Sequence, residues 1–275
     1  KKTVMEESSF GKKPDKSLKE IFDSSRVSIH KWENYFDIYE QYLNKYRGRN
    51  PRILEIGVQY GGSLKMWKEY FSNAQIYGID INPDCKKLEE KYIDIQIGSQ
   101  NDKNFLKNYS KYVNNLDVII DDGGHTMTQQ LNTFNILFPI LNDSGIYIVE
   151  DTESSYQNMY GGGPKRKGTF VEFSKTLIDD INANHSDFST LKPNWYSKNI
   201  EFIHFYNNVV VFKKRKIDNF PKNIRSSGEI TIDKNKRHKV ARTKLLISSI
   251  ISIINKLLGY LRLKPIYIGS TSQRL

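Results

Sequence analysis

The sequence predicts an α/β fold, in which helices cover both faces of a doubly wound, mostly parallel sheet. Short apolar runs alternate with helical patterns along residues 49–212. Three of these runs end in acidic residues, and two others, at 201–206 and 209–212, flank Asn207-Asn208. Strands that alternate with helices form parallel sheets, whereas a tight turn between two strands forms an antiparallel hairpin. We therefore expect a parallel sheet that ends in an antiparallel hairpin.

The elements of this fold can be placed in chain order. Residues 17–46 carry aromatic and aliphatic residues three or four apart, which predicts one or two helices in a helical cap over residues 1–48. This stripe consists of Trp32, Tyr35, Phe36, Tyr39 and Leu43. Strands are predicted at 52–57, 75–79, 94–98, 116–120 and 145–149, and helices at 63–71, from Pro83, from near Asn101, at 126–141 and at 169–184.

The positive charge is concentrated at the carboxyl-terminal end. The chain has 275 residues and a net charge of +11. Residues 213–275 contain 16 Lys and Arg against 3 Asp and Glu, a charge of +13, which leaves −2 for residues 1–212. A nearly neutral body with a basic appendage favours an appendage that meets an anionic surface. We divide it into a basic linker at 213–244 and an amphipathic helical tail at 245–275.

The predicted tail helix has one narrow polar stripe. Its members are Ser248, Ser252, Asn255, Gly259 and Arg262, at steps of four and three, and the other positions are mostly Leu, Ile and Tyr. Because basic residues at 234–239 precede it, we expect this helix to bind an anionic membrane surface. Packing against protein is the main alternative, and nucleic acid is the least favoured partner.

Cysteine content and hydropathy predict the compartment. Cys85 is the single cysteine, which excludes an intramolecular disulfide and fits a reducing environment. The sequence shows no secretory leader and no run of 18 apolar residues. We therefore expect a cytoplasmic protein, peripheral on the inner face of the cell membrane if the tail binds there.

A glycine turn follows the first strand. Gly57, Gly61 and Gly62 lie between that strand and a helix, and Asp80 ends the second strand. Glycines allow a ligand to approach the backbone, and an acidic residue at this position suits a ribose diol. The spacing differs from G-x-G-x-x-G, which favours S-adenosylmethionine over NAD, the alternative cofactor. Ser99-Gln100, after the third strand, is where adenine recognition is expected, although a helix cap explains it nearly as well.

Carboxylates close two strands that we expect to be neighbours. Asp121-Asp122-Gly123-Gly124-His125 follows the fourth strand, and Glu150-Asp151 follows the fifth. Ligands bind at the carboxyl ends of parallel strands, so this pattern predicts a divalent metal site with a general base beside it. Taken singly, the acidic pair and His125 are also explained as capping residues of a loop.

Several motifs together resemble the macrocin O-methyltransferase family, to which proteins described as cephalosporin hydroxylases are related. They are Leu54-Glu55-Ile56-Gly57-Val58, Gly61-Gly62-Ser63-Leu64-Lys65-Met66-Trp67, Tyr77-Gly78-Ile79-Asp80, Asp121-Asp122-Gly123-Gly124-His125 and Glu150-Asp151-Thr152. The resemblance covers roughly residues 20–212. It implies a Rossmann-like class I methyltransferase fold that uses S-adenosylmethionine and Mg²⁺ to methylate sugar hydroxyls.

The resemblance also implies roles for single residues. Asp122, Glu150 and Asp151 would bind magnesium, and His125 would be the catalytic base. The predicted cofactor-binding residues are Glu55, Gly57, Gly61, Ser63, Asp80, Ser99, Gln100 and Asp121. Relatives carry an Asp-Lys pair where this chain has Ser25-Arg26, close to His30, so the contribution of that segment is left unassigned.

The residues and the resemblance together predict an O-methyltransferase that acts on a sugar hydroxyl of a glycan, a glycolipid precursor or a glycosylated metabolite. A sugar hydroxyl is a poor nucleophile, so a metal ion and a base are needed beside it. We expect a homo-oligomer with a role in polysaccharide biosynthesis. A membrane-attached scaffold that binds the cofactor without catalysis and a nucleic-acid methyltransferase are the alternatives.

Overall fold

The computed structural model describes residues 16–227 and 242–266. Its seven strands form one sheet in the order β3-β2-β1-β4-β5-β7-β6. They are β1 (Arg52–Ile56), β2 (Gln75–Asp80), β3 (Ile93–Ile97), β4 (Leu116–Asp121), β5 (Leu141–Val149), β6 (Ile200–Phe205) and β7 (Val210–Lys214). Strands β1 to β5 are parallel, and β7 is antiparallel to both β5 and β6. The predicted parallel sheet with a terminal hairpin is confirmed.

The strand order reverses between β1 and β4, and this determines where a ligand can bind. The chain runs outward from β1 to β2 and β3, and then returns to place β4 on the other side of β1. Their register pairs Ile56 with Asp121, and the Asp122 amide donates to the Ile56 carbonyl at 3.0 Å. Such a switch point opens a crevice at the carboxyl ends of the strands.

Helices cover both faces of the sheet. They are α1 (Leu18–Asp23), α2 (Tyr35–Leu43), α3 (Gly62–Tyr70), α4 (Lys103–Tyr112), α5 (Met127–Leu137), α6 (Phe170–Ile181) and α7 (Arg242–Tyr260). Four of them begin at side chains that accept hydrogen bonds from free amides of the first turn: Ser17, Asp102, Thr126 and Thr169. Thr126 and Gln129 form a capping box, which fixes the start of α5 just after His125.

Two hydrophobic cores lie on opposite faces of the sheet. Ile53 packs in the core that contains residues of α1, α2 and α3, whereas Leu54 packs in the core that contains residues of α4, α5 and α6. Because successive strand residues point to opposite faces, one apolar run supplies both cores. This explains why the parallel strands are nearly continuous apolar runs.

Some predicted boundaries were wrong. The helix predicted at 126–141 ends at Leu137, a short 3₁₀ helix covers Phe138–Ile140, and β5 begins at Leu141 rather than at 145. Pro139 explains the early end, because proline lacks the amide donor that a continuing α-helix requires. The segment that begins at Pro83 is a 3₁₀ helix, Pro83–Leu88.

The amino-terminal segment contains two helices, α1 and α2, where the sequence predicts one or two. Ser17 and Glu20 form a capping box at the start of α1. Trp32 lies before α2 and is 53% exposed, so its inclusion in the helical stripe was wrong. The segment at 24–34 between the two helices leads to the crevice, where Ser28, Ile29, His30 and Lys31 line its wall.

Helix α7 covers the first part of the predicted tail, to Tyr260, and begins at Arg242, three residues before the predicted start. Gly259 lies against Phe188, and the Tyr260 ring packs on the Phe188 ring with centroids 5.1 Å apart. Within the described ranges, none of the helices combines the length and hydrophobicity that a membrane span requires. Residues 1–15 of the cap, 228–241 of the linker and 267–275 of the tail lie outside the described residues. The division into a cap, a methyltransferase domain, a linker and a tail stays a prediction.

Candidate active site

A cavity of about 510 Å³ opens at the carboxyl ends of β1, β2 and β4. Its wall contains the glycine turn after β1, the loops after β2 and β3, and the loop after β4. This volume is in the range of small-molecule and cofactor sites. Of the predicted cofactor-binding residues, Gly57, Ser63, Asp80, Ser99 and Gln100 line it.

The glycine turn is packed tightly between two backbone segments. Gly57 has φ +94°, and an added Cβ would lie 2.0 Å from the carbonyl oxygen of Asp122. A Cβ on Gly62 would lie 2.2 Å from the carbonyl oxygen of Ser28. Gly61 has φ +75° and lies beside Leu88. The glycines thus bring the β4 loop and the amino-terminal segment against the turn.

Asp80 is held by main-chain donors. Its Oδ2 atom accepts hydrogen bonds from the amides of Val58 at 2.8 Å and Gln59 at 3.0 Å, and its Oδ1 atom accepts one from the Asn82 amide at 2.8 Å. The carboxylate therefore braces the glycine turn from the end of β2. Carboxylate oxygens have further lone pairs, which leaves Asp80 able to accept from a ligand hydroxyl in the cavity.

Gln100 and Asp121 form a buried pair beneath the cavity. The Gln100 amide donates to Asp121 Oδ1 at 2.7 Å, and its Oε1 atom accepts from the Gly124 amide at 2.8 Å. The Tyr147 hydroxyl donates to Asp121 Oδ2 at 3.2 Å. Burial raises the pKa of Asp121 to about 7, although both donors oppose that shift. Asp121 therefore anchors the β4 loop, and its predicted contact with the cofactor stays a prediction.

Asp122, His125 and Asp151 come together at the edge of the cavity. One ligand atom from each lies within 4.8 Å of the others. His125 Nε2 is 3.3 Å from Asp151 Oδ2 and 3.8 Å from Asp122 Oδ1. His125 has φ +55° and Asp151 φ +51°, a left-handed conformation that is costly for residues other than glycine and is concentrated at functional sites.

Lys31 is the site residue that the sequence did not reveal. Its ammonium Nζ lies 2.6 Å from Asp122 Oδ2, 2.9 Å from Glu150 Oε2 and 3.3 Å from Glu55 Oε1, and the side chain is 2% exposed. Burial disfavours the charge, but the three carboxylates and the Tyr39 hydroxyl outweigh it and raise the pKa of Lys31 well above its ordinary value. Lys31 is therefore a buried cation among carboxylates.

Glu55 and Glu150 are buried behind this cation. Trp67 Nε1 donates to Glu55 Oε2 at 3.1 Å. The Tyr39 hydroxyl donates to Glu150 Oε1, and Lys31 contacts the other oxygen. Burial raises the pKa of both carboxyls, and Lys31 opposes the shift in each. Of the three predicted metal ligands, the structure groups Asp122 and Asp151 with His125 and holds Glu150 through Lys31 and Tyr39.

Helix α2 also orients Asp151. The Tyr35 hydroxyl donates to Asp151 Oδ1 at 2.7 Å, and Trp32 Nε1 donates to the same oxygen at 3.1 Å. Tyr35 and Tyr39 lie four residues apart on one face of α2, so their hydroxyls reach the adjacent carboxylates Asp151 and Glu150. This spacing was visible in the sequence, where we interpreted it only as an apolar stripe.

Sugar O-methyltransferases of known activity are similar to this chain in sequence. The chain is 33% identical over 221 residues to mycinamicin VI 2''-O-methyltransferase of Micromonospora griseorubida, which covers 75% of this chain and 54% of that protein. It is 32% identical over 216 residues to demethylmacrocin O-methyltransferase of Streptomyces fradiae, covering 74% and 53%. A scan against models of protein families finds no match.

One solved structure is similar in sequence and in fold. It is a methyltransferase from the mycinamycin biosynthetic pathway in complex with Mg, SAH and mycinamycin VI, with a TM-score of 0.67 and 32% identity over 74% of this chain and 55% of that one. This chain resembles the macrocin-type sugar O-methyltransferases. The predicted resemblance and the class I methyltransferase fold are confirmed. The chain spans about half the length of the curated relatives that it matches.

The residues of this methyltransferase fold suit a divalent cation. Asp122 and Asp151 offer the hard oxygen ligands that Mg²⁺ prefers, and three carboxyl groups, those of Asp122, Glu55 and Glu150, surround the single ammonium of Lys31. His125 Nδ1 is buried, and none of the described residues provides it with a hydrogen-bond partner. The metal-binding and catalytic roles of these residues, and the cofactor contacts of all the predicted cofactor-binding residues, including Glu55 and Gly61 outside the cavity lining, stay predictions.

Proposed function

We propose that this protein is an S-adenosylmethionine- and Mg²⁺-dependent O-methyltransferase that acts on a sugar hydroxyl. The observation that carries the proposal is the group of Asp122, His125 and Asp151 at the edge of a cavity whose wall also contains the glycine turn. The sugar O-methyltransferases that this chain resembles, and the Mg and SAH bound to the solved relative, support it.

The cofactor would lie against the glycine turn. Gly57 and Ser63 face the cavity and let the methionine part approach the backbone. Asp80 would accept hydrogen bonds from the ribose hydroxyls, because its position is fixed by three backbone amides. Ser99 and Gln100 would border the adenine, since they line the wall after β3.

The metal and the base would act on the acceptor hydroxyl. Asp122, Glu150 and Asp151 would hold magnesium, which when bound supplies positive charge for a developing alkoxide. His125 Nε2 takes the hydroxyl proton, and the nearby Asp151 carboxylate stabilises the imidazolium. The oxygen forms its bond to the methyl carbon as the carbon–sulfur bond breaks, and that electron pair returns to the sulfur, which loses its positive charge.

Substitution of the proposed base tests this mechanism. We expect His125→Gln to lower methyl transfer from labelled S-adenosylmethionine to a panel of sugars and glycosides by about 10²–10⁴-fold, with cofactor affinity within about twofold by calorimetry. His185→Gln is the matched control, because His185 is exposed outside the cavity. Asp122→Asn should abolish the increase in methyl transfer that Mg²⁺ produces in the unaltered protein. Full activity of both site variants would contradict the proposal.

Two other outcomes decide between the alternatives. A protein that binds S-adenosylmethionine but methylates no acceptor would be a scaffold. Methyl transfer to RNA or DNA, with retention that falls steeply as salt rises, would indicate a nucleic-acid methyltransferase. The net charge of −2 over residues 1–212 argues against this second outcome.

We also propose that α7 binds the anionic inner face of the cell membrane, which would place a lipid-linked glycan precursor within reach. Ile250, Ile253, Leu257 and Leu261 lie at steps of three and four and are 51%, 64%, 60% and 68% exposed. This uncovered apolar face, together with the basic residues at 234–239 in the sequence, supports a helix that lies in the membrane surface.

Vesicle flotation tests the membrane proposal. We expect the double variant Ile253→Glu, Leu257→Glu to lower binding to phosphatidylglycerol vesicles at least about tenfold, since charges would enter the apolar boundary. Ile224→Glu is the control, because Ile224 is also exposed but belongs to the segment after β7 and not to α7. Undiminished binding would refute the proposal. Light scattering on the same variants tests the predicted homo-oligomer. If the double variant dissociates a dimer and still binds vesicles, the apolar face of α7 contacts a second copy of the chain and not the membrane.

A further inference from the structure

Lys31 already occupies the position of a cation at the proposed metal site. Its ammonium contacts Asp122 Oδ2 at 2.6 Å and Glu150 Oε2 at 2.9 Å, and both residues are proposed metal ligands. The side chain is 2% exposed, so water replaces none of these contacts. Such burial of a lysine requires that it be paired and hydrogen-bonded.

One oxygen of Glu150 contacts the ammonium of Lys31, and a metal ion bound to the same oxygen would lie close to that positive charge. The Tyr39 hydroxyl donates to Oε1 and Lys31 contacts Oε2, so each oxygen already has a donor. Mg²⁺ binds carboxylate oxygens at about 2.0–2.1 Å in near-octahedral geometry. A metal ion that binds Asp122 Oδ2 and Glu150 Oε2 would therefore lie within about 5 Å of the ammonium, which contacts the same two oxygens. Two cations repel strongly at this distance in a buried site, and this repulsion favours displacement of Lys31.

We propose that Lys31 is a resident counter-cation that competes with the divalent metal for Asp122 and Glu150. This inference rests on the proposed function, because it concerns the same metal site. In the metal-free protein the ammonium keeps the two carboxylates together, and metal binding releases it toward the adjacent cavity. Lys31 itself lines that cavity beside His30 and Ile29, so the released side chain has space to move.

Metal binding to a variant tests the competition directly. We expect Lys31→Met to bind Mn²⁺ or Mg²⁺ at least about tenfold more tightly than the unaltered protein, measured by calorimetry without cofactor or sugar. Lys31→Arg retains the charge and should not show this gain. Lys68→Met is the matched control, because Lys68 pairs with Glu90 away from the site. Equal affinity, within about twofold, of the Lys31→Met and unaltered proteins would overturn the inference.

A second measurement uses the unaltered protein, so it does not depend on whether the variants fold. Reductive methylation followed by peptide mass spectrometry reports how accessible each lysine is. We expect Mg²⁺ to raise the modification of Lys31 at least about fivefold and to leave Lys68 unchanged. If Mg²⁺ binds and Lys31 stays protected, competition is refuted while the metal site stands. If neither the unaltered protein nor Lys31→Met binds Mg²⁺ or Mn²⁺, the inference and the metal-dependent function both fail.

Discussion

The two halves of the cavity hold their carboxylates by different means. In the cofactor half, Asp80 accepts hydrogen bonds from three backbone amides of the β1 and β2 loops. In the metal half, Asp122, Glu150 and Asp151 are held by side chains, chiefly Lys31, Tyr35 and Tyr39. The first arrangement follows from the path of the main chain, whereas the second depends on the identity of residues before β1.

This difference indicates which half can be altered by single substitutions. Backbone donors persist through most side-chain changes, so the cofactor half tolerates them unless the turn itself is disturbed. Side-chain donors are lost with the residue that carries them, and a buried carboxylate then loses a partner at a cost of about 1–3 kcal/mol. The metal half should therefore be the more sensitive to substitutions in the amino-terminal cap.

The largest effect is expected at Gly57, where the two halves touch. In Gly57→Ala the new Cβ would lie 2.0 Å from the Asp122 carbonyl oxygen, at φ +94°. Backbone strain and overpacking together predict a loss of about 2–5 kcal/mol in the free energy of unfolding. We expect the displaced loops to weaken both cofactor and metal binding, measured by urea denaturation and calorimetry.

Gly48→Ala is the matched control for this substitution. Gly48 has φ +71°, but an added Cβ would have no neighbour within 4 Å. The strain alone predicts a loss of about 1–2 kcal/mol with unchanged ligand binding. If the two variants lost equal stability and both retained full binding, the close approach at Gly57 would have no role in joining the halves.

An intermediate effect is expected at Tyr39. Tyr39→Phe removes the hydroxyl that donates to buried Glu150 Oε1, which predicts a loss of about 1–3 kcal/mol in the free energy of unfolding. Because Tyr39 contacts the metal half, cofactor affinity should stay within about twofold. Chemical denaturation and calorimetry check these values.

Tyr42→Phe provides the comparison on the same helix. The Tyr42 hydroxyl is hydrogen-bonded to His204 and Tyr206, which are partly exposed and can bond to water instead. We expect a loss of about 0.5–1 kcal/mol. A larger loss for Tyr42→Phe than for Tyr39→Phe would mean that Glu150 does not depend on its side-chain donors.

The same comparison explains which features could be predicted from the sequence. The parallel strands, the glycine turn and the carboxylates after β4 and β5 are local patterns, because each occupies a short run of residues. The contact of Lys31 with Asp122 joins residues 91 positions apart. No local pattern contains such a contact, since it depends on how the segment between α1 and α2 crosses the edge of the sheet.

The errors in the element boundaries also have local causes. The predicted helix at 126–141 ran through Phe138–Ile140, because those residues continue an apolar pattern. Pro139 is the feature that contradicts a continuous helix, because proline punctuates helical patterns. Trp32 fitted the helical spacing of α2, but its indole N–H binds Asp151 from outside the helix. Periodicity identifies a face and does not identify where the helix begins.

The smallest effect is expected at Trp32. Trp32→Phe removes one of two donors to Asp151 Oδ1, and the Tyr35 hydroxyl remains at 2.7 Å. Because Trp32 is 53% exposed, water can replace the lost donor, and the free energy of unfolding should change by less than about 0.5 kcal/mol. Methyl transfer should fall by about two- to fivefold, equivalent to less than about 1 kcal/mol, with Trp195→Phe, another exposed tryptophan, as the control. A loss of transfer above about a hundredfold with unchanged stability would show that Trp32 contacts the acceptor itself, because the loss of one water-replaceable donor to Asp151 is too small to produce it.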